Sequence, residues 1–253
     1  MVTQKGFLLV PCYNEEIRFN ISYFSFIKRE IENYTKNLDF QVELMFIDDG
    51  SRDGTKNLLA LACKQMPATI LSLEHNIGKG NALRLAMLSV MPKRPKFVAY
   101  LDADGAFDKT DVVNSILTYI NSYLIAEIDV LSFARISMAG TMIRRNKIRH
   151  LIGRVIATIV NLNSQYTFYD SQTGFKIYSG NFLRDIDLEE TLKTKWFFDW
   201  EIILRASSKV KIHELPIPNW RDVHGSKLSI GSALSVLREI IKIKLLQKRK
   251  KWT

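Results

Sequence analysis

Two aspartates one residue apart, Asp102 and Asp104, follow a short apolar stretch at 96–101 and precede Gly105. If the chain turns at the glycine, both carboxylates face one pocket. Hard oxygen donors of this kind suit Mg2+ or Mn2+, which draw further oxygens from substrate phosphates and water. The same residues could simply cap a loop, and the triplet Asp102-Ala103-Asp104 is by itself a frequent pattern. Asp48 and Asp49 also close an apolar stretch, and a carboxylate there could accept a hydrogen bond from a nucleobase N–H. In the block that follows, Gly50 and Gly54 make turns and Asp53 suits a helix cap. Ile77-Gly78-Lys79-Gly80-Asn81 offers backbone N–H groups and a lysine at a helix start, a setting that attracts phosphate. It is not a Walker loop, whose spacing is absent.

Cationic residues gather further along. Arg135 ends an apolar run, and Arg144, Arg145, Lys147 and Arg149 follow it. Arginine reads phosphate through paired hydrogen bonds, although a solvated helix face would look the same. Asp199 and Glu201 open an apolar helical pattern, where an acidic residue also favours a helix start for plain electrostatic reasons. His213 and His224 have no metal-ligand spacing and are read as structural.

The elements that must position these groups are legible as two alternating periodicities. Short apolar runs at 7–10, 42–47, 69–73, 97–101 and 130–133 read as buried strands. Between them, 20–34, 55–64, 79–91 and 111–123 read as helices. This alternation predicts an α/β fold: a mostly parallel, Rossmann-like sheet flanked by helices. Ligands in such sheets bind beyond the carboxyl ends of the strands. The segments at 11–15, 48–51 and 102–105 should therefore meet on one rim. The second half is less regular, with a basic helix at 144–161, a strand at 175–178, a helix at 198–206 and a last strand at 210–215. One domain is expected over 1–230. A basic amphipathic helix at 231–253 is expected to pack on it or extend from it.

Together these segments resemble family 2 glycosyltransferases of the GT-A fold. The resemblance rests on Val10-Pro11-Cys12-Tyr13-Asn14-Glu15, the Asp48–Thr55 block, Asn76-Ile77-Gly78-Lys79-Gly80 and Asp102-Ala103-Asp104. It continues through 170–176, 198–201 and 225–228, and it is most similar to dolichyl-phosphate glucosyltransferases and dolichol-phosphate mannose synthases. It implies an inverting hexosyltransferase that moves a sugar from a nucleotide-sugar, a UDP-hexose such as UDP-glucose, with Mg2+ or Mn2+. Pro11, Tyr13, Glu15 and Asp49 would contact the nucleotide, with Asp48 beside them and Lys79 and Ala103 lining the donor site. Asp104 would be the main metal ligand, and Asp102 would lie near ribose, sugar or metal. Arg135 would hold donor diphosphate or an acceptor phosphate; Arg144, Arg145, Arg149 and Lys227 would serve acceptor or phosphate binding. Asp199 matches the position of a catalytic base. The mannose synthases carry a glutamine where this chain has Ala106, so a third protein ligand is not implied.

The acceptor is left open between a polyprenyl phosphate and a cell-surface glycan. The net charge of +10 and pI near 9.5 call for an anionic partner. No nucleic-acid reader motif accompanies that charge, and nucleic acid is not expected as a partner. Two separated cysteines, a polar start and no run of about 18 apolar residues predict a cytoplasmic protein. The lysine-rich end suits peripheral contact with an anionic membrane on its inner face. A non-catalytic nucleotide-sugar-binding subunit of a glycan assembly complex is the alternative reading.

Overall fold

A computed structural model describes residues 3–162, 165–189, 198–206, 209–223 and 239. In chain order the elements are β1 (Gln4–Cys12), α1 (Ile21–Thr35), β2 (Phe40–Asp48), α2 (Thr55–Gln65), β3 (Ala68–Ser72), α3 (Lys79–Val90) and β4 (Phe97–Leu101). They continue through α4 (Lys109–Thr118), β5 (Val130–Ala134), β6 (Met142–Arg144), α5 (Lys147–Asn161), β7 (Phe175–Ser179), α6 (Gly180–Arg184), α7 (Phe198–Arg205), β8 (Ile212–Pro216) and β9 (Asn219–Arg221).

Seven strands form one sheet in the order β3-β2-β1-β4-β7-β5-β8. All neighbouring pairs are parallel except those made by β7, which runs antiparallel to β4 and β5. Strands β4, β5 and β7 are buried along their whole length, so their near-continuous apolar sequences follow from being covered on both faces. Alternation along β1 and β4 splits the core in two. Leu8, Val10, Phe97, Ala99 and Leu101 pack with α1, α2 and α4. Phe7, Leu9, Val98 and Tyr100 pack with α3, α6 and α7. Strand β1 lies between β2 and β4, where the direction of winding reverses, and ligand crevices of such sheets open there.

Every strand and helix expected up to residue 134 is present, with ends shifted by a few residues. Three differences have physical causes. The helix expected over 111–123 ends at Thr118 and passes into a π turn at Tyr119–Tyr123. Tyr119 is thereby buried, with its hydroxyl donating to the Ile128 carbonyl at 3.1 Å. The basic helix expected from 144 starts at Lys147, because Met142–Arg144 pairs in parallel with Asn219–Arg221, and the Asn146 side chain accepts the N–H of Ile148 at 2.9 Å. The strand expected as the last is followed by β9, a three-residue strand with a single buried side chain, Trp220. The division at 230 and the helix expected over 231–253 lie outside the described residues.

Candidate active site

The three polar rims meet as expected. Cys12 stands opposite Asp48 in the β1–β2 register, and the N–H of Asp49 donates to the Cys12 carbonyl at 2.9 Å. The N–H of Asn14 donates to Ser51 Oγ at 3.1 Å and that of Glu15 to Thr55 Oγ1 at 2.7 Å. The loop after β1 is thus laced to the loop after β2. Pro11 and Tyr13 are half-buried on this rim.

Beyond β4 the chain turns at Gly105 with φ of 68°, the left-handed region that glycine enters without a steric penalty. Ala103 points into the core at 4% exposure, so only its backbone can face a ligand. Asp104 Oδ1 accepts the N–H of Ala106 at 3.1 Å. Burial, with the Asp102 charge beside it, raises the Asp104 pKa above the carboxylate norm. Two carboxylates that repel each other in a partly buried pocket suit a cation. Among the described residues no group of three or more His, Cys, Asp or Glu could hold a metal ion. The donor set is therefore the aspartate pair, which fits an ion that takes its other ligands from diphosphate and water.

Glu15 sits on the same rim. Burial raises its pKa to about 7 against the opposing pull of Arg18, with the nearby Asp104 charge adding to the rise. Arg18 Nη2 donates to Glu15 Oε1 at 2.6 Å, while the buried Oε2 has no partner. Sequence reasoning missed Arg18, although it stands one helical step from Glu15 and its charge is also felt at Asp104.

Several expected ligand groups are engaged within the protein itself. Asp49 accepts from Asn76 Nδ2 at 2.9 Å, from Ile77 N at 2.8 Å and from Gly78 N at 3.0 Å. The backbone N–H groups expected to cradle phosphate before α3 are thus held by a carboxylate of the protein, and Asp49 serves as a clamp on that loop. Asp48, 3% exposed, closes its own turn by accepting the N–H of Ser51 at 3.0 Å. The Lys79 ammonium pairs with Asp102 and lies 5.0 Å above the Tyr100 ring.

Arg135 is likewise committed. Its Nε and Nη2 donate to the two oxygens of Asp170 at 2.5 and 2.8 Å, and Nη2 also donates to the Gln172 carbonyl at 3.1 Å. Its guanidinium lies 5.1 Å from the centre of the Trp220 ring. Arg145 reaches the same carboxylate at 3.8 Å. Asp170 is buried, which alone would raise its pKa, yet the arginines win and hold it at about 2. Arg144 is exposed on β6. The side chain of Arg149, and Lys227 with its neighbours, lie outside the described residues.

Asp199, expected as a base, opens α7 and is directed at the sheet. Its Oδ2 accepts from Lys176 Nζ at 2.6 Å and from the Tyr100 hydroxyl at 2.7 Å, and its Oδ1 accepts from the Tyr178 hydroxyl at 2.7 Å. Both oxygens are therefore in use. Asp170 and Lys176 entered the sequence reading only as the ends of the matched segment 170–176, with no role assigned, and Tyr100 only as a strand residue, until the fold brings them together.

A family model described as glycosyl transferase family 2 matches residues 7–182. The dolichyl-phosphate beta-glucosyltransferase of Dictyostelium discoideum is 28% identical over 244 residues, covering 94% of this chain and 73% of that protein. That of Saccharomyces cerevisiae is 28% identical over 255 residues, with coverage of 94% and 73%. Among solved structures, glucosyl-3-phosphoglycerate synthase from Mycobacterium tuberculosis, in complex with Mn2+, uridine-diphosphate-glucose and phosphoglyceric acid, superposes with a TM-score of 0.65. It is 13% identical, covering 96% of this chain and 79% of that one, which is a likeness of fold.

Proposed function

The chain belongs to glycosyl transferase family 2, and from that premise we propose that it transfers glucose from UDP-glucose to a dolichyl or other polyprenyl phosphate, assisted by Mg2+ or Mn2+. The observation that carries this reading is the aspartate pair Asp102 and Asp104, set beyond β4 at the crevice where the sheet reverses its winding. The relatives named for dolichyl-phosphate glucosyl transfer support glucose as the sugar and dolichyl phosphate as the acceptor.

A bound divalent ion supplies charge neutralisation for the departing diphosphate. The protein's own groups do the rest. Asp104 and Asp102 would hold the ion, and Lys79, paired with Asp102, would add positive charge beside the diphosphate. Glu15, with one buried oxygen unpartnered, would accept a hydrogen bond from a ribose hydroxyl. An oxygen of the acceptor phosphate attacks the anomeric carbon, the bond from that carbon to the UDP oxygen breaks, and the configuration inverts. The phosphate is already ionised, so no proton need be removed from it. Arg145 shares Asp170 with Arg135, and the Asp222 charge also acts on both arginines. We assign this pair of guanidinium groups to the acceptor phosphate, which arginine reads through paired hydrogen bonds.

Helix α5 favours a lipid-borne acceptor over a free glycan. Its inner side packs through Ile156, Ala157 and Val160, yet Ile148, Leu151 and Val155 stand exposed on its outer side at helical spacing, with Leu162 exposed just past its end. Met138 and Met142 are exposed as well. Apolar side chains of this kind, on a chain of net charge +10, suit the surface of an anionic bilayer. Among the described residues no helix is long and apolar enough to cross a membrane.

The test is transfer of label from UDP-[14C]glucose to dolichyl phosphate in detergent with MnCl2, measured in the organic phase. Asp104→Ala should lower the rate by at least about 100-fold while leaving the melting temperature close to that of the parent. Undiminished transfer by this variant would refute the metal role, and label reaching only a glycan acceptor would refute the lipid.

A further inference from the structure

We propose that Asp199 is a positioning residue for the aspartate pair: it neutralises the buried Lys176, through Lys176 fixes the segment 171–174 against which Asp102 rests, and holds the Tyr100 ring beneath Lys79. A general base must reach the proton it removes. Asp199 already accepts from three donors, Lys176 Nζ, Tyr100 Oη and Tyr178 Oη, at 2.6 to 2.7 Å. An incoming acceptor would have to displace one of them.

Lys176 and Tyr100 connect this network to Asp102. Lys176 is 1% exposed, and an ammonium so far from water requires a counter-charge, which Asp199 supplies. Lys176 Nζ also donates to the Ser171 carbonyl at 3.1 Å, and the Tyr100 hydroxyl lies 3.1 Å from the Thr173 carbonyl. The next residue, Gly174, accepts the N–H of Asp102 at 2.9 Å. A Cβ built on Gly174 would lie 2.0 Å from Asp102 Oδ2, so this backbone is the wall behind the carboxylate. Tyr100 and Asp102 are two residues apart at the end of one strand and share a face. Lys79, lying over the Tyr100 ring, pairs with Asp102 from the other side. Loss of the Asp199 charge therefore loosens the backbone wall and the ring platform together.

This inference rests on the donor and metal site proposed above, and its readout is independent of the acceptor. Mn2+ and UDP binding by the full chain would be measured by calorimetry, beside transfer kinetics. Tyr100→Phe leaves the Asp199 carboxylate in place and removes one donor from it. It should weaken Mn2+ binding in the presence of UDP by about tenfold, the scale of one buried hydrogen bond, and raise the donor KM in parallel. Asp199→Asn should lower transfer by about 100-fold, also with weakened Mn2+ binding. Combining it with Lys176→Met, which removes the stranded ammonium, should recover about tenfold of that loss. If Asp199 were the base, Tyr100→Phe would leave Mn2+ affinity intact while shifting the pH profile of transfer, and the double variant would stay as inactive as Asp199→Asn alone. Either result overturns the inference. Failure of the parent chain to bind Mn2+ and UDP would instead overturn the donor-site reading itself.

Discussion

Gly174 and Asp170 show how much a single side chain, or its absence, decides around this site. Any Cβ at Gly174 meets Asp102 Oδ2 at 2.0 Å, against an aspartate whose N–H is tied to the same residue. Gly174→Ala should therefore displace Asp102 and lower Mn2+ affinity by about tenfold or more, measured by titration, with little change in circular dichroism. Asp170 is the counter-charge of Arg135 and Arg145, and its pKa is held at about 2 in the fold. A depressed carboxylate adds stability that is complete above its unfolded value near 4 and is lost as the pH falls toward 2, here about 2 kcal/mol. Asp170→Asn leaves a buried arginine unpaired and should cost about 3 kcal/mol or more at neutral pH. Its unfolding free energy should also lose part of the parent's dependence on acid between about pH 4 and pH 2, followed by denaturant melts. Asp102 and Asp104 were legible in the sequence because the doublet follows the fourth apolar strand, on the rim where two other polar segments converge. Asp170 was legible only as part of the matched segment 170–176 and its role as counter-charge was not, since its partners lie 35 and 25 positions away.

At the scale of elements, periodicity located the strands and helices up to residue 134 and failed where tertiary pairing overrode it. Arg144 continues a basic, helix-like pattern, yet it is drawn into β6 by β9, a strand too short to leave a period of its own. Helix α5 carries the testable consequence. Its outer residues Leu151 and Val155, at 65% and 52% exposure, add nothing to the core, so replacing both by serine should change the melting temperature by no more than a few degrees. The same variant should lose co-sedimentation with vesicles of phosphatidylserine and phosphatidylcholine while keeping its affinity for UDP and Mn2+. Unchanged vesicle binding would remove α5 from the membrane reading.

For the molecule as a whole, the charge of +10 and the exposed face of α5 make different contributions to such binding. Electrostatic attraction is screened within about 3 Å at 1 M salt, against about 10 Å at 0.1 M, whereas apolar insertion is not. Vesicle affinity should therefore fall steeply from about 0.05 to about 0.5 M NaCl and then level off at a residue owed to α5. A decline that continues to zero would assign the contact to charge alone.

The sequence by itself determined the sheet, the convergence of the three rims and the family, because strand and helix periods and the turn residues between them are local properties. The tertiary structure decided which of the polar residues on those rims are available to a ligand. Asp49 closes on the loop before α3, Arg135 on Asp170, and Asp199 on Lys176 and two tyrosines of the sheet. A charged side chain seeks its counter-charge through space, and spacing along the chain carries no record of the distance at which it is found.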